Sequence, residues 1–189
     1  MGKILSLMLV LLLAILSWWF QDDWKKPLLK PAQQNQHFPD YFLDDFSTTK
    51  MNNNGQISHI LRAKHMLHYN DDGRIEMQQV NLIVQQKNMT WIISAQRAES
   101  RDGEPNIYFY DQVLLQRKNE QQIVELSIRS DYLEFNMQNR IAKTNKAANI
   151  TTHDSQLNST GMMIDYKQGI LKLNSQVKGR YAHHYFSTH

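Results

Sequence analysis

The stretch LNSTGMMIDYKQGILKLNSQVKG, residues 157–179, combines a small residue, an alternating apolar run, a polar turn with glycine and a Gln-Val pair. The same order occurs three times earlier in the chain. Its small residues, Ala63, Ala95, Ser130 and Gly161, follow one another at intervals of 32, 35 and 31 positions. A period above thirty indicates a hairpin-like unit that must stack on its neighbours to bury its apolar face.

The second mark of the repeat is the Gln-Val pair. It stands at residues 79–80, 112–113 and 176–177, and Ala147-Ala148 takes its place in the third unit. An alternative is that any all-β chain shows pseudo-repeats set by the spacing of its turns. Both interpretations predict a stacked or rolled sheet.

Apolar residues alternate with polar ones along most of the chain after residue 40. Trp91, Ile93 and Ala95 form one such run, and Met162, Ile164 and Tyr166 form another. Alternation with period two places one face of a strand in a core. Between the runs lie NNNG, NDDG, SRDGEPN and YKQG, which are typical turn sequences. The fold class predicted is all-β, with the folded domain at residues 40–189.

The amino terminus differs from this pattern. Residues 4–20, ILSLMLVLLLAILSWWF, contain no charged residue and are long enough to cross about 30 Å of hydrocarbon as a helix. A cleaved signal peptide is the competing interpretation, but its apolar region is usually shorter and ends in small residues, not in aromatic ones. We expect an uncleaved transmembrane anchor at residues 1–21 and a proline-containing linker at residues 22–39. The lysines that follow the apolar run weakly oppose a cytoplasmic amino terminus, because positively charged residues favour the cytoplasmic side of a membrane.

Composition excludes several classes of function. The formal net charge is +3 and the basic residues are scattered, unlike a clustered nucleic-acid-binding face. There is no cysteine, hence no disulfide framework or thiol nucleophile. Ser94, His65 and Asp71 lack the sequence context of a nucleophile elbow, and the histidines lack a recognised zinc spacing. We therefore predict no catalytic residue, no metal site and no cofactor.

An open roll of strands leaves unpaired backbone groups on its first and last strands, which can accept a strand from a partner. The residues predicted to form these edges lie at the two ends of the β domain. They are Tyr41, Phe42 and Leu43 at the amino-terminal edge, and Ile170, Leu171, Leu173 and Val177 at the carboxyl-terminal edge.

Four stretches of the chain can be compared with known families: LRAKHMLHYND from Leu61, WIISAQRAES from Trp91, IYFYDQVLL from Ile107 and STGMMIDYKQGILKLNSQVKG from Ser159. In these stretches the chain resembles the LptC family of lipopolysaccharide export proteins. The resemblance implies a single-pass inner-membrane protein whose periplasmic domain is a V-shaped β-jellyroll. It also implies that the domain accepts lipopolysaccharide from the ATP-driven extractor LptBFG and passes it to the periplasmic protein LptA by edge-to-edge contact. The chain itself has no phosphate-binding loop for ATP.

Lipid carriage would require an apolar lining for acyl chains. The candidates for lipid contact are alternating inward positions: Phe46, Ile57, Leu61, Met77, Ile93, Phe109, Leu126, Ile128, Leu171 and Leu173. The alternative function is a membrane-anchored periplasmic docking or assembly factor with no lipid cargo. Such a factor would have a filled, dry interior, whereas a carrier would keep room for acyl chains.

Overall fold

A computed structural model describes residues 38–86 and 88–181 of the chain. This part contains nine β-strands, and no helix in it is long and apolar enough to span a bilayer. The strands are β1 Tyr41–Met51, β2 Ile57–Tyr69, β3 Arg74–Gln86, β4 Met89–Arg101, β5 Asn106–Lys118, β6 Val124–Asn136, β7 Ile141–Thr152, β8 Ser155–Asp165 and β9 Ile170–Tyr181.

All nine strands belong to one antiparallel sheet in which each strand pairs with its neighbours in sequence, in the order β1 to β9. The expectation of an all-β domain is confirmed. The predicted turns connect the strands: NDDG joins β2 to β3 and YKQG joins β8 to β9. Gly73 and Gly169 close these two turns at φ 66° and 73°, a backbone conformation that glycine adopts at little cost.

The core follows the predicted alternation. Trp91, Ile93 and Ala95 are buried on one face of β4, and Met162 and Ile164 are buried on β8. A single apolar cluster contains residues from β2 to β8 and ends at Tyr166, just after β8. The inner face of the sheet is therefore one continuous hydrophobic core.

The ladder is interrupted near the middle of many strands. On β3, Gln79 has a φ of 50°, and on β5, Asp111 and Gln112 have φ values of 61° and 54°. On β9, Gln176 has a φ of 51°. The registers of β4 with β5 and of β5 with β6 shift at these places, as β-bulges do. Because a bulge bends its strand and increases its twist, the sheet is creased across its middle.

The crease explains the repeat in the sequence. The glutamine of each Gln-Val pair occupies the left-handed position, and a small residue lies on the neighbouring strand. Val80 pairs with Ala95, and Val113 pairs with Ser130. Gly161, at φ 78°, lies on β8 where the register with β7 shifts, and a Cβ there would come within 2.6 Å of Asn174. The repeated unit is thus one strand with a bulge and one strand with a small residue.

The creased sheet folds over on itself in two arms. The first arm consists of the strand halves next to the β2–β3, β4–β5, β6–β7 and β8–β9 turns; the second arm consists of the other halves. The β8–β9 turn of the first arm reaches the second arm, where the Gln86 side-chain amide donates to the Lys167 carbonyl at 3.2 Å. Tyr166 also packs on Trp91 there. The predicted anchor and most of the predicted linker lie outside the described residues.

Candidate functional site

The sheet has two open edges. In the described part of the chain, β1 pairs only with β2, and β9 pairs only with β8. Both strands expose apolar side chains: Phe42 is 64% exposed and Val177 is 52% exposed. Tyr41 and Leu43 on β1 and Ile170 on β9 are exposed as well, whereas Leu171 and Leu173 on β9 are partly buried. The seven residues predicted for the edges therefore lie on the outermost strands; whether a partner binds there stays a prediction.

A buried histidine, which the sequence did not single out, forms contacts that hold the amino-terminal end of β1. His68 on β2 contacts the Asp40 carboxylate through Nδ1 at 2.6 Å and the Asp102 carboxylate through Nε2 at 2.8 Å. The ring of Tyr41 stacks on it, with centroids 4.5 Å apart. Hydrogen bonds from His68 to Asp102 and then to Asp40 raise the pKa of the imidazole. A doubly protonated ring satisfies both carboxylates.

A second histidine on the same strand repeats the contact. His65 Nδ1 lies 2.5 Å from Asp44 Oδ1, with the Phe42 ring nearby. Asp40 and Asp44 thus each meet a histidine of β2. The register of β1 with β2 places Asp44 opposite His65 and Tyr41 opposite His68, an arrangement that no spacing in the sequence signals.

Five of the residues predicted to contact lipid are sealed in the core. Met77, Ile93, Phe109, Leu126 and Ile128 are between 0 and 6% exposed. They lie on the inner face of β3 to β6, as the alternation predicted. In this closed arrangement their side chains contact only other parts of the protein.

Four others lie at the margins of the core, beside the open edges. Phe46 on β1 and Leu61 on β2 are partly buried at one margin, and Leu171 and Leu173 on β9 are partly buried at the other. Ile57, at the start of β2, is 45% exposed and lies outside the core, since the strand has only just left the β1–β2 turn. The structure thus separates the ten candidates into a sealed centre, two accessible margins and one outlying residue.

The outer face of the first arm carries a further feature that the sequence reasoning did not single out. A groove of about 440 Å³ lies there, lined by residues that include Tyr132, Lys143, Met163 and Lys172. Burial, and after it the nearby Glu134 carboxylate, raises the pKa of Tyr132 to about 12. Because these residues point away from the core, the groove is separate from the candidate lipid positions.

Comparisons with known proteins gave a family and likenesses to solved structures. The family model described as "LptC: Lipopolysaccharide-assembly, LptC-related" matches residues 7–182. A crystal structure of LptH, the LptA-homologous periplasmic component of the lipopolysaccharide transport device from Pseudomonas aeruginosa, is similar with a TM-score of 0.48 and 6% sequence identity. The match covers 74% of this chain and 92% of that chain. No curated protein matches the chain significantly.

Proposed function

We propose, because the chain belongs to the LptC family of lipopolysaccharide-assembly proteins, that its β domain binds the acyl chains of lipopolysaccharide and passes the lipid between two neighbouring proteins. Family membership makes the protein a component of lipopolysaccharide transport. Acyl binding, the route of the lipid and the identity of the neighbours are the proposed steps.

The observation that carries the proposal is the position of the accessible apolar residues. Leu61 lies beside the β1 edge and Leu173 lies beside the β9 edge, and a continuous apolar core connects them. Acyl chains at either margin would meet partly exposed apolar surface, and burying that surface favours binding by about 25 cal/mol per Å². The lipid would thus be held at the same edges where a neighbouring sheet can add its strand.

Chain order suggests which edge faces which neighbour. The apolar residues 4–20 precede β1, so we propose that the β1 edge faces the inner membrane and the extractor LptBFG. The β9 edge, at the other side of the sheet, would then face the periplasmic protein LptA. In this arrangement the protein is a single-pass inner-membrane protein with its β domain in the periplasm.

The edge assignment is tested by photocrosslinking of the full chain in cells. A photoreactive residue is placed at Phe42 on β1, at Val177 on β9, and at Arg129, an exposed position in the middle of the sheet. We expect adducts with the extractor from position 42, adducts with LptA from position 177, and neither from position 129. The assignment of the edges would be contradicted if position 129 formed adducts with both proteins while positions 42 and 177 formed none.

The sealed centre of the core favours a second candidate function. Ile93 and Phe109 are 0% exposed, as in a protein that docks partners without carrying lipid. A docking factor would use the same edges, so the edge experiment does not separate the two functions. The two functions are separated by whether photoreactive residues at Leu61 and Leu173, at the margins of the core, form adducts with lipid.

A further inference from the structure

One transverse row of residues crosses the inner face of the second arm near its end. Lys50 pairs with His59, His59 with Val84, Val84 with Trp91, and Trp91 with Arg117. Directly paired residues in an antiparallel sheet lie on the same face. Since Val84 and Trp91 are buried in the core, the row lies on the core-facing side. Three of its five members are therefore basic residues on the apolar face.

The turns of the first arm bring more positive charge to this row. Arg140, in the β6–β7 turn, lies close enough to His59 to lower the pKa of its imidazole, after the larger effect of burial and together with Lys50. The β8–β9 turn lies over the same end of the arm, through the bond from Gln86 to the Lys167 carbonyl. We call Lys50, His59, Arg117 and Arg140 the basic rim.

Several polar atoms of this region are buried without a hydrogen-bond partner. They are His59 Nε2, Arg117 Nε and Trp91 Nε1. A buried donor without a partner costs free energy, which a ligand atom that accepts its hydrogen bond would recover. Trp91 and Arg117 are adjacent, with the guanidinium 5.8 Å from the ring centroid. The buried N–H groups of Trp91 and Arg117 thus mark a place where an acceptor would be stabilised.

Carboxylates neutralise only part of the positive charge of the basic rim. Glu125 lies 3.4 Å from Arg117, and the Asp165 carboxylate accepts hydrogen bonds from the backbone N–H groups of Lys167 and Gln168. Within residues 38–86 and 88–181, neither Lys50 nor Arg140 forms an ion pair with a carboxylate. Among the described residues, the positive charges of Lys50 and Arg140 therefore have no acidic partner, whereas Arg117 is paired with Glu125.

The next row of inward-facing residues, on the side of the crease, is apolar from β2 to β6. Leu61 pairs with Leu82, Leu82 with Ile93, Ile93 with Leu115, and Leu115 with Ile128. Cations thus lie beside a continuous apolar strip on one face. Such a pattern suits an amphiphile with an anionic headgroup and hydrocarbon chains, because the headgroup meets cations and the chains meet apolar side chains.

We propose that the basic rim binds the phosphate-bearing headgroup of the lipid whose acyl chains occupy the adjoining apolar row. This inference rests on the proposed function and adds the position and charge of its headgroup site. Arg117 and Arg140 offer planar guanidinium groups that can bind phosphate oxygens in pairs, and Lys50 adds a cation at the open edge. The β1 margin then becomes the side at which the headgroup is held.

The test uses the full chain in phosphatidylcholine nanodiscs and three probes: lipid A with two phosphates, the same lipid after phosphatase treatment, and sodium phosphate. The rim variant is Lys50→Gln/Arg140→Gln. The control is Arg129→Gln/Lys172→Gln, which removes the same charge from two exposed residues on the outer face. Both pairs are exposed, so neither removes core packing.

We expect the wild type to bind the phosphorylated lipid about tenfold more tightly than the dephosphorylated one, as one charge-assisted hydrogen bond would give. The rim variant should lose this preference while still binding the dephosphorylated lipid, and the control should keep it. The inference is overturned if the rim variant keeps the preference, or if it loses both lipids equally.

Two further outcomes identify other failures. If neither lipid binds the wild type, the proposed function is wrong, and the rim has no lipid headgroup to bind. If micromolar sodium phosphate displaces the phosphorylated lipid, the site takes free phosphate and the headgroup assignment is wrong. Displacement only by the phosphorylated lipid supports the proposal.

Discussion

Trp91 and Tyr166 lie with their ring centroids 6.3 Å apart, although one is at the start of β4 and the other follows β8. Tyr166 also stacks on Phe135 at the end of β6, at 5.1 Å and an interplanar angle of 17°. These rings join the two arms of the creased sheet. Tyr166 is therefore expected to hold the arms together.

Truncating this side chain should open the contact between the arms. Tyr166→Ala is expected to lower the free energy of unfolding by about 3–5 kcal/mol, because it removes a buried aromatic ring. Tyr166→Phe should cost under about 1 kcal/mol, since the hydroxyl donates only a 3.5 Å hydrogen bond to the Met137 carbonyl.

Urea denaturation of the full chain measures both changes. Tyr181→Ala serves as the control, since that ring on β9 is exposed. A Tyr166→Ala variant as stable as the Tyr181→Ala variant would show that the rings do not hold the arms together.

Because the backbone at Gln79 is left-handed, we expect substitution of this residue by glycine to have an unusual effect on stability. A side chain at positive φ costs about 1–2 kcal/mol, so Gln79→Gly should leave stability unchanged or raise it. Gln78→Gly, one residue earlier on the same exposed stretch, should instead destabilise by about 0.5–1 kcal/mol. Thermal unfolding of the two variants compares them directly. Equal destabilisation by both would contradict the crease at Gln79.

The pair of carboxylates around His68 predicts that the β1 edge depends on pH. The pKa of His68 is raised above its ordinary 6.5, so its stabilising contribution is complete below about pH 6.5. This stabilising contribution is lost as the pH rises through the raised pKa of His68 in the folded state. Hydrogen exchange of the β1 amides, corrected for intrinsic rates, should therefore show weaker protection at pH 8.5 than at pH 6.

His68→Gln should remove this difference, and His153→Gln, at a side chain that is 89% exposed, should retain it. A pH dependence that survives in the His68→Gln variant would assign it to another group.

Much of the fold could be predicted from the sequence because one face of each strand is buried. The alternation around Trp91 and Ile93 identified strands, and the period of Ala63 and Ala95 identified the repeated unit. The repeat was visible because the bulge imposes two local requirements at once: a residue that tolerates positive φ and a small neighbour. Family resemblance then supplied the expected function.

The contacts that span several strands could not be predicted in the same way. The contact of His68 on β2 with Asp102, in the turn after β4, passes across the end of β3, and no local pattern signals it. The basic rim depends on the register that aligns Lys50, His59 and Arg117 across five strands. Ile57 was expected on the inner face from its alternation alone, and its exposure reflects its place at the end of the sheet, where no second layer covers it.

Photocrosslinking to lipopolysaccharide in cells tests lipid carriage most directly. Photoreactive residues are placed at Leu61 and Leu173, at the two margins of the core, and at the outward-facing Arg129 as the control. We predict lipopolysaccharide adducts at positions 61 and 173 that depend on ATP hydrolysis by the extractor, and none at position 129. The absence of lipid adducts at both margins of a folded, membrane-localised protein would contradict lipid carriage and favour the docking factor.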